Sequence, residues 1–237
     1  MARRHESGDM REIAAVPRME REPWGRRGPS LDGRVPEVRS GQYSRRGNFR
    51  KYESRNPLQR LLIWHFHRRV GELVEGAHAR SILDVGCGEG FTIDYLLRAD
   101  GQLRIQGLDY DWPALRQAKE KHPGVLFQMG DIRRLPYASA GFDLVLCLEV
   151  LEHLAEPVPA LEELRRVAGQ RCLISVPNEP FFMLSNFLRG KNVRAWGNDP
   201  EHIHLWTAGQ FRHMVGRYFE VEKVLYPFPW VLAECRA

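Results

Sequence analysis

The sequence predicts an α/β fold, a mostly parallel sheet wound with helices on both faces. Three observations predict it. A buried-type apolar run at 82–85 leads through a glycine-rich loop into a helical pattern at 91–99, the strand–loop–helix start of a nucleotide-cofactor fold. Short apolar runs then alternate with helical patterns as far as residue 176, the signature of parallel strands joined by crossover helices. The last two strand-like runs, 221–226 and 230–235, are separated by only Pro227, Phe228 and Pro229. That link is too short for a parallel crossover, so the final pair is antiparallel.

Taken in order, residues 1–48 are rich in Arg, Gly, Pro and Glu and show no sustained period. They cannot bury enough apolar surface to offset the entropy of ordering, so a disordered basic arm is expected. Residues 1–55 hold 14 of the 35 Arg and Lys and 8 of the 30 Asp and Glu, a net of +6. The other 182 residues carry 21 basic and 22 acidic side chains, so the body is close to neutral. A neutral body argues against a broad phosphate-tracking surface, and no nucleic-acid partner is expected. Domain organisation is then an arm over 1–48 and one catalytic-sized domain over 49–237.

Asn56 reads as an N-cap with Pro57 at the first helical position. Leu58, Leu62, Phe66, Val70 and Leu73 follow at helical spacing, and Gly76 closes the helix. His65 and His67 lie off that stripe and are expected at its surface or edge. Strand one is 81–85 and strand two 104–109, followed by a helix over 113–121. Strand three is 125–129, strand four 142–148, and a helix near 159–167 leads to strand five at 171–176. Thr207 caps a last main helix over 208–218.

The loop ILDVGCGEG narrows the ligand. Dehydrogenases place GxGxxG here, with the third glycine admitting close helix packing. This chain has Gly86, Gly88 and Gly90 as GxGxG, and Phe91 stands where the third dehydrogenase glycine belongs. Asp84 ends the strand, where its charge would oppose a pyrophosphate and suit a cationic ligand. Strand two ends GLDYD, which places Asp109 to accept from a ribose diol beside Tyr110. Strand three ends MGDI, so Asp131 is a candidate acceptor for an adenine amino group and Ile132 a candidate to pack on the ring.

Together with LCLEVLEHL at the exit of strand four and SVPN at the end of strand five, these residues resemble the class I S-adenosylmethionine-dependent methyltransferases. Within that class they resemble the small-molecule group that includes quinone-biosynthesis O-methyltransferases. The resemblance covers about 80–235. It implies a Rossmann-like, doubly wound seven-stranded sheet whose antiparallel last strand inserts between the fifth and sixth. It also implies S-adenosylmethionine as cofactor, with Asp84, Gly86 and Gly88 around the methionyl part and Cys87 a further cofactor-binding candidate in the same loop. Asp109 then falls on the ribose, Asp131 and Ile132 on adenine, and Leu148 and Glu149 beside the sulfonium, with Tyr110 a further cofactor-binding candidate.

Transfer to a hydroxyl would benefit from a general base, which favours histidine. His153, His202 and His204 are the candidates. A metal on Glu201, His202 and His204 lacks a clear further ligand, so no metal is expected. The stretch 178–206 is crowded with Phe181, Phe182, Phe187, Trp196 and Trp206, interleaved with Arg189, Lys191 and Arg194. It is expected to form a lid over an apolar or aromatic small-molecule acceptor, with a homodimer contact as its other use. The alternatives left open are methylation of nitrogen or carbon, a macromolecular acceptor, or an inactive cofactor-binding scaffold. No apolar run approaches the ~20 residues of a membrane span. The four cysteines show no ligand spacing and read as buried thiols, so a cytoplasmic protein is expected.

Overall fold

Asn56 opens the first helix, α1 (Pro57–Ala77), its side chain accepting from Leu58 N–H at 2.9 Å and Gln59 N–H at 3.4 Å. Pro57 sits where its missing N–H costs nothing. The computed structural model describes residues 52, 54 and 56–237, so the arm expected over 1–48 lies outside the described residues. After α1 come β1 (Ile82–Val85), α2 (Phe91–Ala99), β2 (Ile105–Asp109), α3 (Trp112–Lys121) and β3 (Leu126–Met129). The second half holds β4 (Phe142–Leu148), a 3₁₀ turn over Leu151–His153, α4 (Val158–Val167) and β5 (Ala168–Pro177). It closes with α5 (Phe181–Leu188), α6 (Ala208–Val215), β6 (Glu220–Leu225) and β7 (Trp230–Arg236).

The strands form one seven-stranded sheet in the order β3-β2-β1-β4-β5-β7-β6. All neighbours on the β3 side of β5 pair in parallel, and β7 runs antiparallel to both β5 and β6. The inserted antiparallel strand and the doubly wound sheet are therefore as the sequence predicts. β5 is longer than the apolar run suggests. β7 pairs with it from Arg171 to Pro177, and an irregularity in β4 lets Phe142 pair with Ala168 at its start.

Two cores result, because successive strand residues point to opposite faces. Leu83, Val145, Ile174 and Val231 face Leu161 and Leu164 of α4 and Phe211 of α6. Ile82, Leu144, Leu173 and Leu232 face Phe66 and Val70 of α1 and Ile93 and Leu96 of α2. β1 lies between β2 and β4, so the chain reverses its winding there. Open α/β sheets leave a crevice at the carboxyl ends of the strands at such a point.

One surface assignment is corrected. His67 is only 2% exposed. Its Nδ1 donates to the Ile63 carbonyl at 2.9 Å, which leaves Nε2 to face the Tyr52 hydroxyl at 3.2 Å and Thr92 Oγ1 at 3.4 Å. The apolar stripe of α1 packs on the sheet. His67 lies on the flank that meets α2, so a single-stripe reading misses it. Leu58, placed on the stripe by its spacing, is 51% exposed because the first turn of α1 stands clear of the core.

Leu161 is fully buried between α4 and the sheet. Its replacement by alanine removes that packing and leaves a cavity, which costs about 2–5 kcal/mol. Urea unfolding of Leu161→Ala should show a lowered midpoint with an unchanged slope.

Candidate cofactor and acceptor site

The glycine loop turns immediately after β1. Gly86 has φ +78°, and a Cβ on it would lie 2.3 Å from Val150 Cγ2. Gly88 has φ +50°, and a Cβ there would meet nothing within 4 Å, so its open side is the cradle into which a ligand can come close. The loop is tied to β2 by three hydrogen bonds. Gly86 N–H and Cys87 N–H donate to the Leu108 carbonyl at 2.7 and 3.1 Å, and Gly88 N–H donates to Asp109 Oδ2 at 2.7 Å. Asp109 Oδ1 accepts from Asp111 N–H at 2.9 Å. Burial pushes the Asp109 carboxyl up, while these amides pull it back towards ionisation.

Asp84 is 2% exposed, and its Oδ2 has no hydrogen-bond partner among the described residues. Burial, with Asp109 nearby, pushes its carboxyl up to about 7. An orphaned buried carboxylate at this point fits a ligand ammonium, since a cation beside it would restore the charged form. Glu149 lies across the crevice in the left-handed region, φ +60°. Its N–H donates to the Ser175 carbonyl at 3.1 Å, and its Oε1 accepts from Ser175 Oγ at 3.1 Å. That backbone costs on the order of 1–3 kcal/mol in a non-glycine residue, and such strain gathers at functional sites. Leu148 and Cys87 complete the floor.

Tyr52, Phe66, Phe91 and Thr92 wall the same pocket. Tyr52 stacks on Phe91 at 4.0 Å between centroids, and Lys121 Nζ lies 3.8 Å from the Phe91 ring centroid. Burial raises the Tyr52 hydroxyl far above its ordinary value, and the charges of Glu149, Asp84 and Glu89 raise it further. Three carboxylates thus face one small pocket, a setting that favours a cation.

The remaining cofactor candidates differ among themselves. Tyr110 is 84% exposed at the end of β2. Ile132 is buried in the core with Leu135. Asp131 is held by Arg133 in a bidentate pair at 2.7–3.1 Å, which keeps its carboxyl below the usual range. An adenine amino group would have to share Asp131 with that guanidinium.

Of the three histidine candidates, the structure brings two together. The 3₁₀ turn after β4 presents His153, whose ring lies 5.0 Å from that of His202. His153 Nδ1 lies 2.9 Å from the Glu201 carbonyl, so it carries the proton and Nε2 is the free lone pair of the neutral ring. His204 is separate, its ring stacked on Trp206 at 4.7 Å. Glu152, which sequence reasoning passed over, is 1% exposed, and its Oε1 lies 3.9 Å from His153 Nε2. Its carbonyl accepts from Ile203 N–H at 2.9 Å and His204 N–H at 3.2 Å. Ligand-capable atoms of Glu152, His153 and His202 all lie within 4.8 Å of one another. The only sequence signal for Glu152 was an acid beside His153 at a strand exit.

The ends of the segment 178–206 are tied together, Asn178 Oδ1 accepting from Ala208 N–H at 3.1 Å, and within it the buried Asn186 donates to the Gly197 carbonyl at 2.9 Å. Phe182 sits over His202 at 5.2 Å between rings, while Phe181, Leu184, Leu188 and Trp196 remain exposed.

A sheet of this order, with an acid-and-glycine loop at its reversal point, defines the class I S-adenosylmethionine-dependent methyltransferase fold. Residues 83–174 match the family model described as a methyltransferase domain, and with the relatives below this match supports a class I S-adenosylmethionine-dependent methyltransferase domain in this part of the chain. A Mycolicibacterium smegmatis protein described as "Probable S-adenosylmethionine-dependent methyltransferase" is 35% identical over 152 residues, 63% of this chain and 55% of that one. A ubiquinone biosynthesis O-methyltransferase of Albidiferax ferrireducens is 32% identical over 117 residues, 47% of this chain and 42% of that one. A norajmaline N-methyltransferase of Rauvolfia serpentina is 30% identical over 128 residues, 52% and 41% of the two chains. The chain thus spans about two fifths to just over half of these relatives. Among solved structures, the methyltransferase domain of bacterial-CtHen1-C superposes with a TM-score of 0.60 at 21% identity. It covers 74% of this chain and 98% of that one.

An Asp84 carboxyl that holds a ligand ammonium would make cofactor binding pH-dependent. Its folded value of about 7 lies above its unfolded one, so the folded protein takes up the proton first and loses stability as pH rises towards 7. A cationic ligand prefers the ionised form. Affinity for S-adenosylhomocysteine, measured by calorimetry, should therefore rise about 10-fold from pH 6 to pH 8. Asp84→Asn should flatten that dependence.

Proposed function

We propose that the protein transfers the methyl group of S-adenosylmethionine to a hydroxyl of a small apolar or aromatic acceptor by in-line displacement. The observation that carries this reading is the His153–His202 pair at the exit of β4, one turn from Glu149 and beneath the aromatic segment 178–206. The cofactor, when bound, supplies an electrophilic methyl on a sulfonium. The chain's own residues align the nucleophile, exclude water and move a proton.

In this reading Asp84 holds the ammonium, Gly86, Cys87 and Gly88 lie along the methionyl part, and Leu148 and Glu149 face the sulfonium. Asp109 and Tyr110 serve the ribose, with Asp131 and Ile132 at the adenine. Support comes from the orphaned Asp84 oxygen and the open side of Gly88. His153 has its proton committed to the Glu201 carbonyl and a lone pair on Nε2, the form a base requires. His202 shares that role, and His204 anchors the loop through its stack on Trp206. Residues 178–206 act as the lid, and its exposed Phe181, Leu184 and Trp196 suit an apolar acceptor or a second copy of the chain. Among the described residues no helix is long and apolar enough to cross a membrane. The four cysteines are buried free thiols, which suits the reducing cytoplasm.

Two measurements test the reading. Calorimetry with S-adenosylhomocysteine should give saturable binding, and its absence would overturn the cofactor assignment. Labelled S-adenosylmethionine with a panel of phenols, alcohols and amines should label hydroxyl acceptors. Label on amines alone would replace oxygen by nitrogen, and binding with no transfer would leave a scaffold. His202→Ala should lower turnover ~10²–10⁴-fold and spare S-adenosylhomocysteine binding. Asp109→Ala should weaken that binding, because it frees the Gly88 and Asp111 amides.

A further inference from the structure

We infer that Glu152, His153 and His202 form a binding site for a divalent first-row transition ion at the acceptor end of the crevice. In the sequence alone the one trio weighed as a metal site is Glu201, His202 and His204 in a single loop, and the expectation there is of no metal. The fold draws the donors instead from two segments some fifty residues apart, and Glu201 contributes only its carbonyl.

The geometry has the features of a prepared site. Two imidazoles and one carboxylate bring ligand atoms within 4.8 Å of one another. The 3.9 Å between His153 Nε2 and Glu152 Oε1 is too long for a hydrogen bond. Two ligands on one ion with bonds of ~2.0–2.2 Å stand ~3–3.5 Å apart, so a shift of about half an ångström brings the pair into register. His153 donates its other ring N–H to a backbone carbonyl, Glu201, which is the arrangement that orients metal-ligating histidines and fixes their tautomer. The Glu152 backbone is clasped to the second segment through the N–H groups of Ile203 and His204, so the carboxylate and His202 are held relative to each other.

A set of two nitrogens and one oxygen leaves coordination positions open and suits Zn²⁺, Co²⁺, Mn²⁺ or Fe²⁺. The use of the ion rests on the methyl-transfer reading, whereas its binding rests on these side chains alone. In use, an acceptor hydroxyl takes an open position and gives its proton to solvent. The oxygen–carbon bond then forms as the sulfur–carbon bond breaks, S-adenosylhomocysteine leaves, and the ion changes no oxidation state. The ion thereby replaces a free imidazole base, and the two alternatives respond oppositely to a chelator.

The test uses the full chain, treated with EDTA and desalted, then titrated with Co²⁺ by visible absorption and with Mn²⁺ by calorimetry. One ion per chain is expected, with Co²⁺ ligand-field bands. His153→Asn, His202→Asn and Glu152→Gln should each weaken binding more than ~10-fold while S-adenosylhomocysteine affinity stays within about twofold. Absence of saturable binding, or binding unchanged in His202→Asn, would overturn the site without touching the cofactor assignment, which calorimetry reads separately. Should a variant lose its fold, proton NMR of the wild-type Co²⁺ form decides: hyperfine-shifted resonances from two histidines support the site and their absence refutes it. EDTA that abolishes methyl transfer, restored by Mn²⁺ or Co²⁺, supports use of the ion. EDTA without effect assigns the proton to His153 or His202 acting alone.

Discussion

The hydrogen bond from Gly88 N–H to the Asp109 carboxylate is the interaction on which the site depends. It ties the open part of the glycine loop to the end of β2, on the flank of β1 away from β4. Asp109 spends its other oxygen on Asp111 N–H, which sets the start of α3. One buried carboxylate therefore fixes the floor of the crevice on two sides. A glycine loop without this anchor would retain its conformational freedom and lose the cradle, since the open side of Gly88 has no packing of its own. Charged acceptors of backbone N–H groups make the stronger hydrogen bonds, which is why an acid rather than an amide suits the place.

Asp84 stands near Asp109 under the opposite condition. Asp109 is burdened by burial but compensated by amides, whereas Asp84 Oδ2 has no partner among the described residues. Two similar acids in one crevice thus divide the work. One is satisfied by the protein's own amides, and the unpartnered oxygen of the other supports the proposed ammonium contact. The strained backbone at Glu149 belongs to the same economy of place. β4 must stop beside β1 for the crevice to open, and Glu149 turns sharply there while Ser175 holds its backbone and side chain.

The sheet was legible because its signals are local. Apolar runs of four to seven residues alternate with helical patterns, and Pro227 to Pro229 leave room only for an antiparallel return. The strand-end places of Asp84 and Asp109 and the turn at the loop glycines were legible for the same reason, since strand ends and glycine spacing are written in consecutive residues. His67 was not, because its burial comes from α2 and Tyr52, which approach α1 from a side that a single hydrophobic stripe does not mark. Glu152 was not either. An acid beside a histidine after a strand reads as a surface pair, and only the return of the chain at 201–204 encloses it. Asp131 shows the converse case. Its spacing suggests an adenine contact, but two residues later Arg133 occupies the carboxylate.

The enclosure of Glu152 also links the two halves of the chemistry. The turn Leu151–His153 follows Glu149 after the single residue Val150, so its position is set by the strand end that lines the crevice. Its carbonyl and the His153 ring hold the 201–204 segment through three hydrogen bonds to backbone groups. Phe182 of α5 packs on His202, so the aromatic segment rests on the same joint. A displacement of that segment must therefore either carry the histidines with it or break bonds to the turn, because packed elements move between discrete arrangements rather than bending freely. On the proposed reading, acceptor-side and donor-side geometry are coupled through this one short turn, which links the 201–204 segment to the end of β4.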